Sequence, residues 1–197
     1  MADINATVSN ILEKLSKILE KPYNALALGA GLAFLLLLLY HVTNLGLGYI
    51  GPFFTFLHVV SVITWIGLLY YFNLVQIPTM PKIPPELKPG IGQYIAPEAL
   101  FWFRWSALAT LVTGLIVFST SSAAHNLTLI TGAILGLLMV LNVWFVIWPN
   151  QKIVVGLVTA DDEAKAQAAR LSMLALRANF VLSLPTLYCM VTARLVG

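Results

Sequence analysis

The sequence predicts an all-α integral membrane protein, a five-span helical bundle preceded by an N-terminal amphipathic interfacial helix. Two segments without charge carry this prediction, because no Asp, Glu, Lys or Arg occurs between Asn24 and Pro81 or between Trp105 and Gln151. The composition agrees, since 59% of the 197 residues are hydrophobic and only 10% are charged, against roughly 25% charged residues in soluble domains. Helices of about 20 apolar residues match the thickness of a bilayer's hydrocarbon core.

Residues 1–21 are predicted to form the interfacial helix. Apolar side chains recur at helical spacing from Ile4 to Leu19, with lysines and glutamates between them. This pattern is typical of a helix that lies along a membrane surface, and a helix packed against a neighbouring subunit would show it as well. Lys21-Pro22 ends the helix, and residues 22–197 are predicted to form the transmembrane bundle.

The bundle is predicted to cross the membrane at about residues 23–43, 53–75, 97–119, 125–148 and 172–192. Between the second and third spans, Ile77–Pro97 carries six of the ten prolines, so we expect a solvent-facing loop there and no helix. Pro149-Asn150 is expected to end the fourth span. Gln151–Arg170 is expected to form a surface helix and turn, with Asp161-Asp162-Glu163 as a helix start signal.

The basic residues predict the orientation of the bundle. Of the 11 Lys and Arg residues, all but Arg194 fall on one side of the predicted topology. Because cytoplasmic segments are enriched in Lys and Arg, we expect a bacterial inner-membrane protein with its N-terminus in the cytoplasm and its C-terminus in the periplasm. The net charge of +3 is explained by this orientation, so the lipid bilayer, and no nucleic acid, is the expected partner.

The histidines are the most specific chemical clue. His41, His58 and His125 all fall in the predicted outer half of the bundle. Neutral imidazole is a usual axial ligand of b-type haem iron, and His58 lies inside a span, where an ionisable side chain is a functional candidate. A hydrogen bond from His58 to a neighbouring helix carbonyl explains it equally well. His41 and His125 lie near the membrane boundary, where a histidine needs no special role.

Other side chains in the spans extend this interpretation. Trp65 shares a helix face with His58, Ser61 and Phe72, and such a stripe suits the edge of a porphyrin or ordinary helix packing. Close helix approach is expected at the small-xxx-small pair Gly132 and Gly136, and a tie between helices is expected at Asn142. Three polar residues near the inner end are expected to extend toward the membrane interface; they are Arg104, Arg177 and Asn179.

Four segments resemble, in the same order, the membrane domain of bacterial cytochrome-c-coupled urate oxidases: Leu57–Phe72, Pro97–Gly114, Gly132–Lys152 and Asn179–Met190. The most specific pieces are His58 with Trp65-Ile66-Gly67 and the block from Asn142 to Gln151. The resemblance implies a helical membrane domain linked to passing electrons from urate oxidation into the respiratory chain. It also implies a following cytochrome c domain, which we expect this chain to lack. Family histidines have no counterpart in Gly90–Glu98 or Leu174–Phe180.

Three functions follow as hypotheses. The first is a membrane redox subunit, in which a haem b held by His58, with His41 or His125, relays electrons to a periplasmic cytochrome c or a larger respiratory complex. The second is a non-catalytic structural subunit of a membrane enzyme complex, in which polar side chains only fix helix contacts. The third is a membrane oxidase acting on a purine such as urate or on a porphyrinogen, since the His58–Trp65 spacing is also similar to membrane proteins that oxidise protoporphyrinogen.

Overall fold

The computed structural model describes residues 2–44, 46–121 and 126–193. Its contacts divide the chain into two units, Met1–Tyr49 and Ile50–Gly197. The described residues form helices joined by turns, and no strand occurs among them. The helices are α1 (Ala2–Leu19), α2 (Pro22–His41), α3 (Ile50–Lys82), α4 (Lys88–Thr120), α5 (Leu127–Val154) and α6 (Asp162–Thr192). The predicted all-α fold class is confirmed.

Helices α2 to α6 account for the apolar character of the sequence. Within the described part of the chain, these five helices are long and apolar enough to cross a membrane, judged by their length and composition. The number of apolar helices therefore agrees with the number of predicted spans. Their insertion into a membrane, and the orientation, stay predictions.

The first unit consists of α1, α2 and short 3₁₀ turns. The segment predicted to be interfacial is helical in α1, where Lys17 Nζ lies 2.6 Å from Glu13 Oε1 one turn away. Pro22 stands in the first turn of α2, where proline is well tolerated because no helical acceptor is available for its missing N–H. Two 3₁₀ turns, Val42–Asn44 and Leu47–Tyr49, follow α2. The position of α1 on a membrane surface stays a prediction.

Three prolines stand inside the long helices of the second unit, each shortly after a widened helical turn. A π-helical segment stands directly before each X-Pro step, at Phe72–Gln76, Ile91–Ile95 and Val143–Ile147. In each case the residue before proline donates its backbone N–H five residues back, as Ile77 does to Phe72 O. Proline lacks an N–H, and its ring clashes with the carbonyl four residues earlier. A widened turn accommodates both effects, and the helix continues past Pro78, Pro97 and Pro149.

The expectation of a loop without helix over Ile77–Pro97 is therefore wrong. Helix α3 continues to Lys82 and α4 begins at Lys88, so only residues 83–87 are non-helical in this segment. The physical reason is that most of these prolines stand in a first helical turn or after a widened turn, where their fixed φ is compatible with a helix. The same correction applies at Pro149-Asn150, since α5 reaches Val154.

The start signal at Asp161 is confirmed, but the helix that it starts is longer than expected. Asp161 Oδ1 accepts a hydrogen bond of 2.7 Å from the backbone N–H of Ala164, which caps α6. The helix then continues without interruption to Thr192, whereas a separate surface helix and turn were expected before residue 172. The turn lies earlier, at residues 155–161, where Gly156 adopts a φ of 80° that disfavours a side chain.

The core of the second unit lies where α3, α4, α5 and α6 meet. Tight van der Waals packing and hydrogen bonds between helices hold this bundle together. Phe72 and Phe103 pack edge to face with ring centroids 5.4 Å apart. The buried cluster comprises Trp65, Leu69, Phe72, Leu100, Phe103, Ala107, Met139, Val140, Val143, Ile147, Ala175 and Leu176.

Candidate functional site

His58 is held against α4 by its imidazole. Helix α3 places His58 Nδ1 3.0 Å from the backbone oxygen of Thr110 and 3.2 Å from Thr113 Oγ1. A carbonyl oxygen can only accept, so the hydrogen bond to Thr110 requires the proton on Nδ1, and in the neutral ring Nε2 is then the nitrogen with the lone pair. The predicted bond to a neighbouring helix carbonyl is present. It is also the bond that usually orients a metal-ligating histidine.

A glycine on α4 makes this close approach possible. A Cβ placed on Gly114 would lie 2.9 Å from His58 Cε1 and 3.3 Å from Nδ1. Any side chain at this position would therefore push the imidazole away from Thr110. The half-buried ring is fixed by a hydrogen bond on one edge and by backbone contact beside it.

The partners of His58 were missed by sequence reasoning. Thr110 and Thr113 are buried and direct their hydroxyls to carbonyls of their own helix, as Ser106 does one turn earlier. These residues and Gly114 form a face of small side chains at three- and four-residue spacing, which is typical of a helix contact surface in membranes. That spacing could have indicated the surface, but it could not have indicated which helix packs on it.

Trp65 lies seven residues from His58 along α3 and contributes a buried donor. Its side chain is 2% exposed, and its indole Nε1 has no hydrogen-bond acceptor among the described residues. A buried N–H left without an acceptor is costly. Of the other predicted stripe residues, Ser61 donates to Leu57 O of its own helix, and Phe72 belongs to the core.

A role of the other two histidines in this site stays a prediction. His41 belongs to the first unit, where its ring centroid lies 5.1 Å from that of Tyr49 with the rings tilted by 38°. His125 lies outside the described residues. Among the residues that are described, no group of three or more His, Cys, Asp and Glu could hold a metal ion.

A second polar site ties α5 to α6. Asn142 Nδ2 donates to Asn179 Oδ1 at 2.7 Å and to Ala175 O at 2.9 Å, and Asn179 Nδ2 donates to Met139 O at 3.0 Å. The predicted tie at Asn142 is confirmed. Asn179 was expected to extend toward the interface, and this is wrong, because its side chain is 0% exposed. The reason is that this amide is hydrogen-bonded to another amide and to a helix carbonyl, which allows it to be buried inside the bundle.

The same two helices approach closely at a glycine. A Cβ on Gly132 would lie 2.9 Å from Cys189 Cβ, whereas one on Gly136 would meet Thr186 Cγ2 at an ordinary 3.9 Å. The predicted close approach is therefore confirmed at Gly132. Further ties to α6 come from Gln151, which donates to Ser172 Oγ at 2.6 Å, and from Asn73, which donates to Leu176 O at 3.4 Å. These hydrogen bonds hold α6 in place against α5 and α3.

Comparison with known proteins finds a similarity in the part of the second unit that contains α5 and α6. The sequence model of the family described as "Urate oxidase N-terminal" matches residues 117–195. The match covers α5 and α6 with the Asn142–Asn179 pair, and it begins after His58 and Gly114. Comparisons with curated proteins and with solved structures give no match. The family resemblance predicted from the sequence is thus supported over residues 117–195, where the chain is similar to the urate oxidase N-terminal family.

Proposed function

We propose that the chain is a multi-pass inner-membrane protein that serves as a redox subunit, in which His58 would bind the iron of a b-type haem. The observation that carries the proposal is the imidazole of His58, whose Nδ1 is bonded to Thr110 O at 3.0 Å while Gly114 fixes the ring. Ligating histidines almost always donate their other ring N–H to a carbonyl or carboxylate. The family match to an oxidase N-terminal domain supports the same class of function.

The chemistry of the residues fits such a group. His58 would bind the iron through Nε2, because Nδ1 is engaged with Thr110. That hydrogen bond fixes the tautomer and raises the basicity of the ligand nitrogen. Trp65 Nε1 is a buried donor without an acceptor among the described residues, and it would donate to an acceptor of the bound group. When bound, a haem would supply one-electron transfer.

The proposed partner is a redox protein that accepts electrons from this chain. A membrane subunit that accepts electrons must pass them on, and a periplasmic cytochrome c or a larger respiratory complex is the expected acceptor. The predicted orientation places His58 in the outer half of the bundle, which supports an acceptor on the periplasmic side.

The experiment is a reduced-minus-oxidised absorbance spectrum of the purified full-length chain. We expect the bands of a b-type haem in the wild type. His58→Ala should lose them, and Ser61→Ala should keep them, because the Ser61 hydroxyl donates to Leu57 O of its own helix. A wild-type protein without haem and with its full helix content would contradict the proposal, as would a His58→Ala variant that retains the bands.

A structural subunit is the second candidate, and the α5–α6 interface favours it. Asn142, Asn179, Gln151 and Ser172 pair with one another or with helix carbonyls, so their polar atoms hold helices together and leave little for a substrate. This function would require a larger membrane enzyme as partner. Co-purification in mild detergent tests it: a stable haem-free wild type that is always recovered with the same larger enzyme supports the structural role, and a stable haem protein recovered alone contradicts it.

A further inference from the structure

Arg104 stacks on tryptophan rings at one end of the α4–α5 interface. Its guanidinium carbon lies 3.6 Å from the centroid of the Trp148 ring and 5.5 Å from the centroids of both Trp105 and Trp144. The sequence predicts that Arg104 extends toward the membrane interface, and this stays a prediction, while its Nε is buried. Cation–π contacts of this kind hold a guanidinium in one orientation.

The N–H groups of Arg104 have no acceptor on this chain as far as it is described. Nε is buried without a hydrogen-bond partner, and the ion pairs among the described residues are Lys17–Glu13 and Lys165–Asp162. Stacking engages the face of a guanidinium, but its five N–H donors lie in the plane and still require acceptors. A buried N–H of a charged group without an acceptor is costly, and an anion bound beside Arg104 would supply the acceptor for Nε.

Lys152 adds a second cation to the same tryptophan. Its Nζ lies 5.9 Å from the centroid of Trp148, four residues earlier on α5, a spacing that places both on one helix face. No carboxylate of the described residues pairs with Lys152 either. Two cations that share one aromatic platform, one of them with a planar fork of donors, are suited to a phosphate.

We infer that Arg104 and Lys152 bind the phosphate of an anionic phospholipid beside Trp148, since both cations lie near its ring. A lipid is favoured over free phosphate by the apolar surface that adjoins the cations. Trp105 packs against Trp144 at a centroid distance of 5.8 Å and is itself exposed. Phe145, next to Trp144 on α5, is 73% exposed. Acyl chains would cover these side chains while the headgroup meets the cations. The inference rests on the proposed function only in placing these helices in a membrane.

Native mass spectrometry of the purified chain tests the inference by titration with phosphatidylglycerol or phosphatidylcholine. We expect wild type to bind phosphatidylglycerol about tenfold more tightly than phosphatidylcholine. Arg104→Gln should weaken phosphatidylglycerol binding by about tenfold or more, since charge-assisted bonds to phosphate are among the strong ones. Lys152→Gln should weaken it several-fold. Arg177→Gln is the matched control, because Arg177 is exposed on α6, and its affinity should equal that of wild type.

Three results would overturn the inference: equal binding of the two lipids, an Arg177→Gln variant as weak as Arg104→Gln, or competition by glycerol 3-phosphate at the concentration at which the lipid binds, which indicates a site for free phosphate. If circular dichroism shows that Arg104→Gln has lost helix content, Lys152→Gln becomes the test variant. A Lys152→Gln variant that binds phosphatidylglycerol as tightly as wild type also overturns the inference. The readout is separate from haem. A haem-free chain that selects phosphatidylglycerol contradicts only the redox function, and a haem-loaded chain without lipid preference contradicts only this inference.

Discussion

The Gly114→Ala variant tests whether the imidazole of His58 packs directly against the backbone of α4. The new Cβ would lie 2.9 Å from His58 Cε1, whereas non-bonded carbon atoms rest at about 3.5–4.0 Å. The ring must therefore move by roughly 0.5–1 Å, which stretches or breaks the 3.0 Å bond to Thr110 O. Overpacking of this kind costs about 1–3 kcal/mol, and a lost hydrogen bond costs about 1 kcal/mol.

The helix propensity of alanine offsets part of this cost, by about 1 kcal/mol relative to glycine. We therefore expect Gly114→Ala to lower the free energy of unfolding by about 1–3 kcal/mol. The matched control is Gly67→Ala on α3, where nothing lies within 4 Å of an added Cβ, so stability should stay the same or rise by up to about 1 kcal/mol. The assay is denaturant unfolding of purified protein in detergent, followed by circular dichroism.

A double-mutant cycle identifies the cause. In the His58→Ala background the clash partner is gone, so Gly114→Ala should no longer destabilise the protein and should behave like Gly67→Ala. The reasoning is refuted if Gly114→Ala alone is as stable as Gly67→Ala, or if its cost is the same with and without the imidazole.

The same unfolding assay checks three further expectations. Gly132→Ala should destabilise the protein by about 1–3 kcal/mol, because its Cβ would lie 2.9 Å from Cys189 Cβ, whereas Gly136→Ala should be tolerated; equal effects would contradict the packing. Asn179→Leu should cost about 1–2 kcal/mol through the lost bonds to Met139 O and Asn142, and an unchanged midpoint would show that this pair does not stabilise the fold. Asp161→Ala should cost about 1 kcal/mol by removing the cap on Ala164 N; a neutral result would mean that the cap is not formed.

The number of apolar helices could be predicted because charge is absent where helices must be apolar, and this information is local in the sequence. The continuation of helices through Pro78, Pro97 and Pro149 could not be predicted in the same way. Proline usually ends a helix, and the widened turns before these prolines form within helices that pack on one another. Whether packing repays the lost hydrogen bonds depends on the tertiary structure.

The candidate site was predictable only in part, for a related reason. His58 and Trp65 could be identified because an ionisable and a large aromatic residue stand out in an apolar span. Their environment could not, because the register between α3 and α4 decides that Thr110 and Gly114 meet the imidazole. Asn179 was misplaced because its partner lies on another helix. Sequence spacing describes one helix at a time and carries no information on which faces meet.

The most direct measurement is the haem content of the purified full-length chain by the pyridine haemochrome assay, compared between wild type, His58→Ala and Ser61→Ala. We expect stoichiometric b-type haem in wild type and Ser61→Ala, and its loss in His58→Ala with helix content retained. Haem-free wild type with intact helices, or equal haem in all three proteins, would contradict the role of His58 as a haem ligand.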